Sequence, residues 1–201
     1  MMMHFISSLL LAAVVLFVAP SGSGQSLIEN GGFSDPKDPF KGWITDYAFT
    51  QNQLYIANKD HLSVGADGPR KCANFTAAGD QGVKMESRPF PIEPGFKYIC
   101  NLEIKGGGYR VYFAGYQWAP GIRPHDNPEL GELRMIYQSK ALTGSGEWTQ
   151  QKLELPGVVL SGEAKTHLKK VRFLTIYIWM LKPGSVANVT LTKVPDPAMN
   201  F

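Results

Sequence analysis

Residues 96–118 read FKYICNLEIKGGGYRVYFAGYQW, and this stretch decides the fold. Apolar and polar side chains alternate on both sides of the three glycines at residues 106–108, and this period is typical of β-strands with one buried face. Glycine-rich segments favour turns, so we expect residues 96–105 and 109–118 to pair as a hairpin. The sequence therefore predicts an all-β fold built around this pair of strands.

Residues 109–118 carry side chains suited to binding a ligand. Val111 and Phe113 fall on one face and are expected in the core, because successive side chains of a strand point to opposite faces. The other face presents rings with polar groups and one guanidinium, which can stack on sugar rings and hydrogen-bond their hydroxyls. The same rings could instead be covered by a loop or pair across strands for stability. The predicted binding residues of this strand are Arg110, Tyr112, Tyr116 and Trp118.

The predicted hairpin would also bring polar groups of residues 96–105 to this surface. Asn101 and Glu103 would then lie beside Arg110 and Tyr112. A few polar groups placed among aromatic rings are what a small-molecule site needs for orientation and specificity. A strand face exposed to solvent would show the same pattern, so that alternative stays open.

Residues 171–181, VRFLTIYIWML, are apolar on both faces, as expected of a strand in the middle of a sandwich. One face carries aliphatic residues and is expected in the core. The other face carries Phe173, Tyr177 and Trp179, which form a second aromatic row. This row either joins the first one across the same sheet or is covered by other parts of the chain. Tyr177 and Trp179 complete the predicted set of ligand-binding residues.

The composition indicates one ordered domain. A chain of 201 residues with 44% hydrophobic residues can bury a sizeable core, which excludes an intrinsically disordered protein. The formal net charge is only +3 and the charges are interspersed, so the electrostatic footprint of a nucleic-acid-binding protein is absent from the sequence. A mildly basic surface would accept an acidic glycan. The composition does not indicate an oligomeric state.

The N-terminal segment is typical of a secretory signal peptide. Residues 5–19 are almost wholly apolar, a run too short to span a bilayer as a helix, and small residues follow. We expect a signal peptide over residues 1–24, a sandwich domain over residues 25–195 and a tail over residues 196–201. The mature protein would be secreted, extracellular or periplasmic, and free of the membrane. The first four residues contain no Lys or Arg, so a retained membrane anchor is the alternative.

Four segments carry motifs, namely residues 27–33 (LIENGGF) followed by Gly42-Trp43, residues 90–98 with Pro94-Gly95, residues 146–155 with Trp148, and residues 187–191 (ANVTL). In this order they resemble secreted carbohydrate-binding modules with a galactose-binding-like jelly roll, the kind attached to cellulases and xylanases. The resemblance spans nearly the whole mature chain. It implies a β-sandwich of jelly-roll type that binds poly- or oligosaccharide without catalysis.

The same resemblance implies a structural calcium, because in many relatives an Asp of the closing strand and N-terminal groups hold one. Here Ala187 stands at the first Asp of the closing motif and Asn188 at the second. Calcium prefers several oxygen ligands, above all carboxylates, so the exchange weakens this expectation. If calcium binds, the expected ligands are Glu29, Asn30 and Asn188, and no other cofactor is expected.

Cys72 and Cys100 are the two cysteines of the chain and belong to strands predicted to be adjacent or facing. In an exported protein an even number of cysteines favours a disulfide, so we expect these two residues to be joined. Two free, buried thiols are the alternative.

The sequence shows no nucleophile, phosphate-loop or zinc motif, so we do not expect an enzyme. Glu103 and Glu132 are the carboxylates that glycoside hydrolysis would need if the fold brought them together. The loop of residues 119–130 contains His125 and could overhang the aromatic rows. The alternative to carbohydrate binding is a structural or protein-binding sandwich of the cell envelope or extracellular matrix, in which the same rings bury against a partner.

Overall fold

The computed structural model describes residues 25–47, 49–50, 58–76, 80–156 and 166–199. These residues form ten strands and only short helical turns, so the predicted all-β fold is confirmed. Short 3-10 turns occur at Asn58–His61, Leu130–Glu132 and Pro197–Met199. The strands are β1 (Trp43–Ile44), β2 (Leu62–Asp67), β3 (Arg70–Phe75), β4 (Val83–Ser87), β5 (Phe90–Pro91), β6 (Phe96–Trp118), β7 (Leu133–Gln138), β8 (Leu142–Leu155), β9 (Phe173–Met180) and β10 (Gly184–Pro195).

One long strand, β6, runs through both halves of the molecule. It continues across residues 106–108 without reversing, so the predicted hairpin is wrong. Gly106 and Gly108 adopt φ values of 141° and 111°, which L-residues with a side chain rarely reach, and they let the strand bend instead of turning back. Before the bend β6 pairs with β10 and β8, and after it mostly with β9 and β7.

The bend divides the antiparallel sheet into two halves, which we call the polar half-sheet and the aromatic half-sheet. The polar half-sheet contains β2, β3, β10, residues 96–105 of β6 and β8, in that order. The aromatic half-sheet contains β1, β4, β9, residues 109–118 of β6 and β7. Apolar side chains of both halves form one buried cluster, so the halves pack face to face as a β-sandwich of jelly-roll type.

The core follows the alternation seen in the sequence. Val111 and Phe113 are fully buried, as predicted, and so are Leu174 and Ile176 of β9. Burying an aliphatic or phenyl side chain of this size contributes about 1.5–3 kcal/mol. The core-facing residues of β6 are Tyr98, Cys100, Leu102, Ile104, Tyr109, Val111 and Phe113.

The sequence predicts a short strand ending in a Gly-Gly turn over residues 27–33, but these residues form turns. Two backbone hydrogen bonds still tie this segment to β10. The Leu27 N–H donates to the Leu191 carbonyl at 2.8 Å, and the Val189 N–H donates to the Gly31 carbonyl at 2.9 Å. A Cβ on Gly31 would meet the Val189 carbonyl oxygen at 1.8 Å, so this glycine serves a close approach of two backbones.

The predicted signal peptide of residues 1–24 lies outside the described residues, and so do residues 53–57, for which the sequence predicts a short strand. Within the described part of the chain, no helix has the length and apolar character needed to cross a membrane. Residues 196–199, assigned to the tail, pack on the sandwich. Met199 is fully buried, and the Gly95 N–H donates to its carbonyl at 3.2 Å.

Cys72 and Cys100 are free thiols, so the predicted disulfide is wrong. β10 lies between their strands, and two ladder spacings of about 4.8 Å exceed the reach of a disulfide. The side chains also point to opposite faces, because Cys100 lies in the core cluster whereas Cys72 Sγ contacts the Asn74 side-chain oxygen at 3.3 Å. Burial raises the pKa of the Cys100 thiol to about 12, which keeps it protonated.

Substituting Gly106 should weaken the sandwich, because the bend of β6 depends on this residue. A Cβ on Gly106 would meet the Gly184 Cα at 2.6 Å, and its φ of 141° is strained for any L-residue. We expect Gly106→Ala to lower the free energy of unfolding by about 1–3 kcal/mol, measured by urea denaturation. Gly32→Ala is the matched control, since a Cβ there would meet nothing within 4 Å. Equal losses in the two variants would contradict the role of the bend.

Candidate functional site

Most of the predicted ligand-binding residues meet on the outer side of the aromatic half-sheet, which we call the outer aromatic face. The strand register arranges them in rows, with Arg110 opposite Trp179 and Tyr112 opposite Tyr177. β4 extends both rows on the other side of β9. The face consists of Lys84 and Glu86 of β4, Phe173, Thr175, Tyr177 and Trp179 of β9, and Arg110, Tyr112, Tyr116 and Trp118 of β6.

Asn101 and Glu103 lie elsewhere, on the outer side of the polar half-sheet. The prediction that they lie beside Arg110 and Tyr112 is wrong, because β6 continues past residues 106–108 instead of folding back. Both residues line a shallow groove of about 440 Å³ between β8 and β10. The other polar residues of this groove are Gln150, Gln151, Lys152 and Asn188.

The rings in the middle of the outer aromatic face are covered, which is the alternative to ligand binding that the sequence left open for them. Tyr112, Tyr116 and Tyr177 expose only 5%, 5% and 9% of their surface. Tyr47 and residues 130–133 contribute to the same buried cluster. Contact between a ligand and an aromatic ring is therefore left to the two ends of the face, where Trp179 and Trp118 are partly exposed.

The Trp179 end combines exposure with a fixed geometry. The indole N–H of Trp179 donates to the Gln81 carbonyl at 2.9 Å. The Arg110 guanidinium carbon lies 5.2 Å from the centre of the indole ring. Beside it, Tyr112 and Tyr177 stack with ring centres 4.6 Å apart and planes inclined by 12°. The indole is therefore held in one orientation while part of its surface stays open to solvent.

The Trp118 end is more enclosed. The Trp118 ring lies edge-on to Phe173, with centres 5.4 Å apart, and 4.9 Å from the ring of His125. His125 belongs to the loop of residues 119–130, so this loop overhangs the face at this end. A Glu132 carboxylate oxygen 3.1 Å from His125 Nε2 holds the imidazole there.

A pocket of about 400 Å³ adjoins the covered part of the face. It is lined by Phe49, which is 52% exposed, by Arg88 and by residues 127–131. Ile44 lines the same pocket and also packs on the buried tyrosines. The pocket therefore provides a concave surface at the margin of the outer aromatic face.

Glu86 lies beneath the rings and connects the elements that carry them. Its side chain is 2% exposed. The Tyr116 and Thr175 hydroxyls donate to Oε2 at 2.6 Å and 3.0 Å, and the Tyr47 hydroxyl donates to Oε1 at 3.3 Å. Glu86 is not recognisable from the sequence, because alternation places it on a strand face but only the strand order brings three hydroxyls around it.

Burial raises the pKa of the Glu86 carboxyl above its usual value of 4.5, although the hydroxyl donors and Lys84 oppose this. Burial also raises the pKa of the Tyr47 and Tyr116 hydroxyls, so both remain protonated and able to donate. The cluster therefore holds its rings through hydrogen bonds to a carboxyl that is easier to protonate than an exposed one.

Glu29, Asn30 and Asn188, the predicted calcium ligands, use their polar atoms on other partners. Glu29 pairs with Lys41 at 2.8 Å, and the Asn30 side-chain oxygen accepts from the backbone N–H groups of residues 34–35. The Asn188 amide donates to a carboxylate of β6 at 2.8 Å. Across the described ranges, no group of three or more His, Cys, Asp or Glu side chains could hold a metal ion. These contacts do not fit the convergent oxygens that calcium takes, and calcium binding remains a prediction.

No family model and no curated protein matches this chain. Its fold is similar to solved structures of carbohydrate-binding modules. TmCBM61 in complex with β-1,4-galactotriose gives a TM-score of 0.45 at 13% identity, over 85% of this chain and 100% of the other. A CBM4 structure gives a TM-score of 0.42 at 13% identity, over 83% of this chain and 99% of the other. CBM29_1 from Piromyces equi gives a TM-score of 0.38 at 12% identity, over 70% of this chain and 80% of the other. The similarity concerns the fold alone, and this fold is the jelly-roll β-sandwich that the sequence resemblance implied.

Glu86→Gln should change how stability depends on pH. Because folding raises its pKa, Glu86 contributes its full stability below about pH 4.5 and loses it as the pH rises through the folded pKa. We therefore expect the stability of Glu86→Gln relative to the wild type to increase with pH above this value. Chemical denaturation at several pH values measures the difference.

Glu154→Gln is the control for this experiment. Lys152 and Lys97 lower the pKa of the Glu154 carboxyl, so its contribution is present at high pH and lost as the pH falls. The stability of Glu154→Gln relative to the wild type should therefore decrease as the pH rises. The same trend in both variants would show that the effect does not come from burial of Glu86.

Proposed function

We propose that this protein binds carbohydrate without catalysis, at the Trp179 end of the outer aromatic face. The observation that carries the proposal is a partly exposed indole, fixed by its hydrogen bond to the Gln81 carbonyl, beside the stack of Tyr112 and Tyr177. The apolar face of a sugar stacks on such a ring, and the Arg110 guanidinium can donate to its hydroxyls. A ring that is already fixed loses little freedom on binding, which favours association.

The expected affinity is low. One aromatic contact contributes about 0.5–1.5 kcal/mol beyond the burial of area. Trp118, the other partly exposed indole of this face, lies eight residues along β6 from Arg110, the register partner of Trp179, which is about 27 Å at 3.4 Å per residue. A short oligosaccharide would reach only one of the two ends, so we expect dissociation constants of roughly micromolar to millimolar.

The carboxylates support binding rather than hydrolysis. Arg70 lowers the pKa of Glu103, and the Glu129 backbone N–H lowers that of Glu132, so both groups are held ionised. A glycosidase needs one carboxyl with a raised pKa to protonate the leaving group. Glu86 has a raised pKa, but it is buried beneath the rings.

We expect the protein to act outside the cell that makes it. The support is the apolar run at residues 5–19, which has the length of a signal-peptide core. Expressed in a host with a general secretion pathway, the full chain should leave the cytoplasm and begin near Gln25, as checked by intact-mass measurement of cell fractions. A membrane-bound chain that retains residues 1–24 would contradict secretion and support the anchor alternative.

Trp179→Ala should abolish retention on polysaccharide, because it removes the exposed stacking surface. Affinity electrophoresis on soluble plant, animal and microbial polysaccharides compares the wild type with the variant. The panel includes β-1,4-galactan, because one structure of similar fold was solved with β-1,4-galactotriose. We expect a loss of affinity of about tenfold or more, as for the central residue of a binding site.

Trp148→Ala is the matched control. Trp148 is also partly exposed and its indole N–H also has a protein acceptor, the Asp67 carboxylate at 2.8 Å, but it lies on the polar half-sheet. Unchanged retention of Trp148→Ala beside loss in Trp179→Ala, with both variants folded, supports the proposal. Equal retention of both variants would contradict it. A folded wild type that no polysaccharide retains would favour the protein-binding alternative.

A further inference from the structure

The row that contains Trp179 carries two cations. Lys84 of β4 and Arg110 of β6 are the register partners of Trp179 from opposite sides. The Arg110 guanidinium carbon lies 5.2 Å from the indole centre, and the Lys84 ammonium lies 4.4 Å from the ring centre of Tyr47. Positive charge therefore borders both sides of the ring on which we place the sugar.

The charge of Arg110 has no acidic partner among the residues that the structure describes. Its side chain is exposed, and none of the ion pairs found there includes it. The Arg110 guanidinium N–H groups also form no hydrogen bonds with other described residues. Held over Trp179, the guanidinium can offer these donors to an acceptor on a ring that stacks on the indole.

Trp148, Arg70 and Lys105 of the polar half-sheet provide a contrast to the row of Trp179, and we call them the second tryptophan cluster. Trp148 also has two cations over its ring, with Arg70 and Lys105 at 5.2 Å and 5.3 Å from the ring centre. There the charges are neutralised within the protein, because Arg70 pairs with Glu103 and Lys105 pairs with Asp67. The same combination of an indole and two cations is therefore neutral on the polar half-sheet, whereas on the outer aromatic face Arg110 has no paired acid among the described residues.

The nearest carboxyl on that face does not supply the missing charge to Arg110. Glu86 lies two residues from Lys84 along β4 and attracts it, but it is buried and accepts hydrogen bonds from three hydroxyls. Its oxygens accept hydrogen bonds beneath the rings, and it forms no ion pair with Arg110. A negatively charged group of the ligand would supply the acidic partner that Arg110 lacks.

From this contrast we propose that the glycan bound at Trp179 is acidic, with its carboxylate or sulfate on Arg110 and its sugar ring on the indole. The proposal rests on the proposed carbohydrate binding and names the class of sugar. A guanidinium matches either anion with two parallel N–H donors. Lys84 adds positive potential from the other side of the row.

Two pairs of polysaccharides test this. Polygalacturonate and its methyl ester share one sugar chain with and without carboxylates, and carrageenan and its desulfated form do the same for sulfate. We expect the wild type to bind the acidic member of at least one pair about tenfold more tightly in isothermal titration calorimetry, and added salt should weaken that binding. Equal affinity for both members of both pairs would overturn the proposal.

Arg110→Gln should lose about tenfold in affinity for the acidic polysaccharide and clearly less for the neutral form, because the charge-assisted hydrogen bonds to the anion are stronger than those to neutral hydroxyls. Arg70→Gln removes one charge from the polar half-sheet and controls for the general attraction of a chain with net charge +3 to polyanions, so it should bind like the wild type. Equal losses in the two variants would contradict the proposal. If Trp179→Ala abolishes retention of a neutral glycan and no acidic preference exists, carbohydrate binding stands and the acidic class is wrong. Absence of binding to every glycan would overturn both.

Discussion

The architecture depends on the bend of β6 at residues 106–108. At this point β6 and β10 approach so closely that a Cβ on Gly106 would meet the Gly184 Cα at 2.6 Å, and a Cβ on Gly184 would meet the Lys105 carbonyl oxygen at 2.5 Å. The bend also shifts the alternation by one residue. Even-numbered residues of β6 face the core up to Ile104, and odd-numbered residues face it from Tyr109 onward. This shift places Arg110, Tyr112 and Tyr116 on the outer face.

The outer aromatic face is organised by a buried polar group as well as by packing. The Glu86 carboxyl joins hydroxyls from β6, β9 and the segment that carries Tyr47. Burying a carboxyl costs stability where it is ionised, and the hydroxyl donors offset part of this cost. In return the rings take fixed positions, because each hydroxyl is directed to one carboxyl. The partly exposed indole of Trp179 packs against this hydrogen-bonded cluster.

Local periodicity predicted the parts of the structure that depend on one strand at a time. The strands and core-facing residues of β6 and β9 follow from alternation, and the two aromatic rows do share one face. The errors concern relations between distant segments. Whether residues 106–108 turn or bend depends on the approach of β10, and the separation of Cys72 from Cys100 depends on that same strand lying between them. The cover over the tyrosines comes from residues 44–47 and 130–133, which no local pattern connects to β6.

Glu103 shows why a site cannot be assigned from residue types alone. The sequence placed its carboxylate on the ligand surface beside Arg110, but the structure pairs it with Arg70 under the second tryptophan cluster. Both tryptophan clusters contain the groups that could bind an acidic sugar. They differ in whether neighbouring strands supply the acids, and this depends on strand order. Because Glu103 and Asp67 both lie on the polar half-sheet, neither is a partner of Arg110, which forms no ion pair among the described residues.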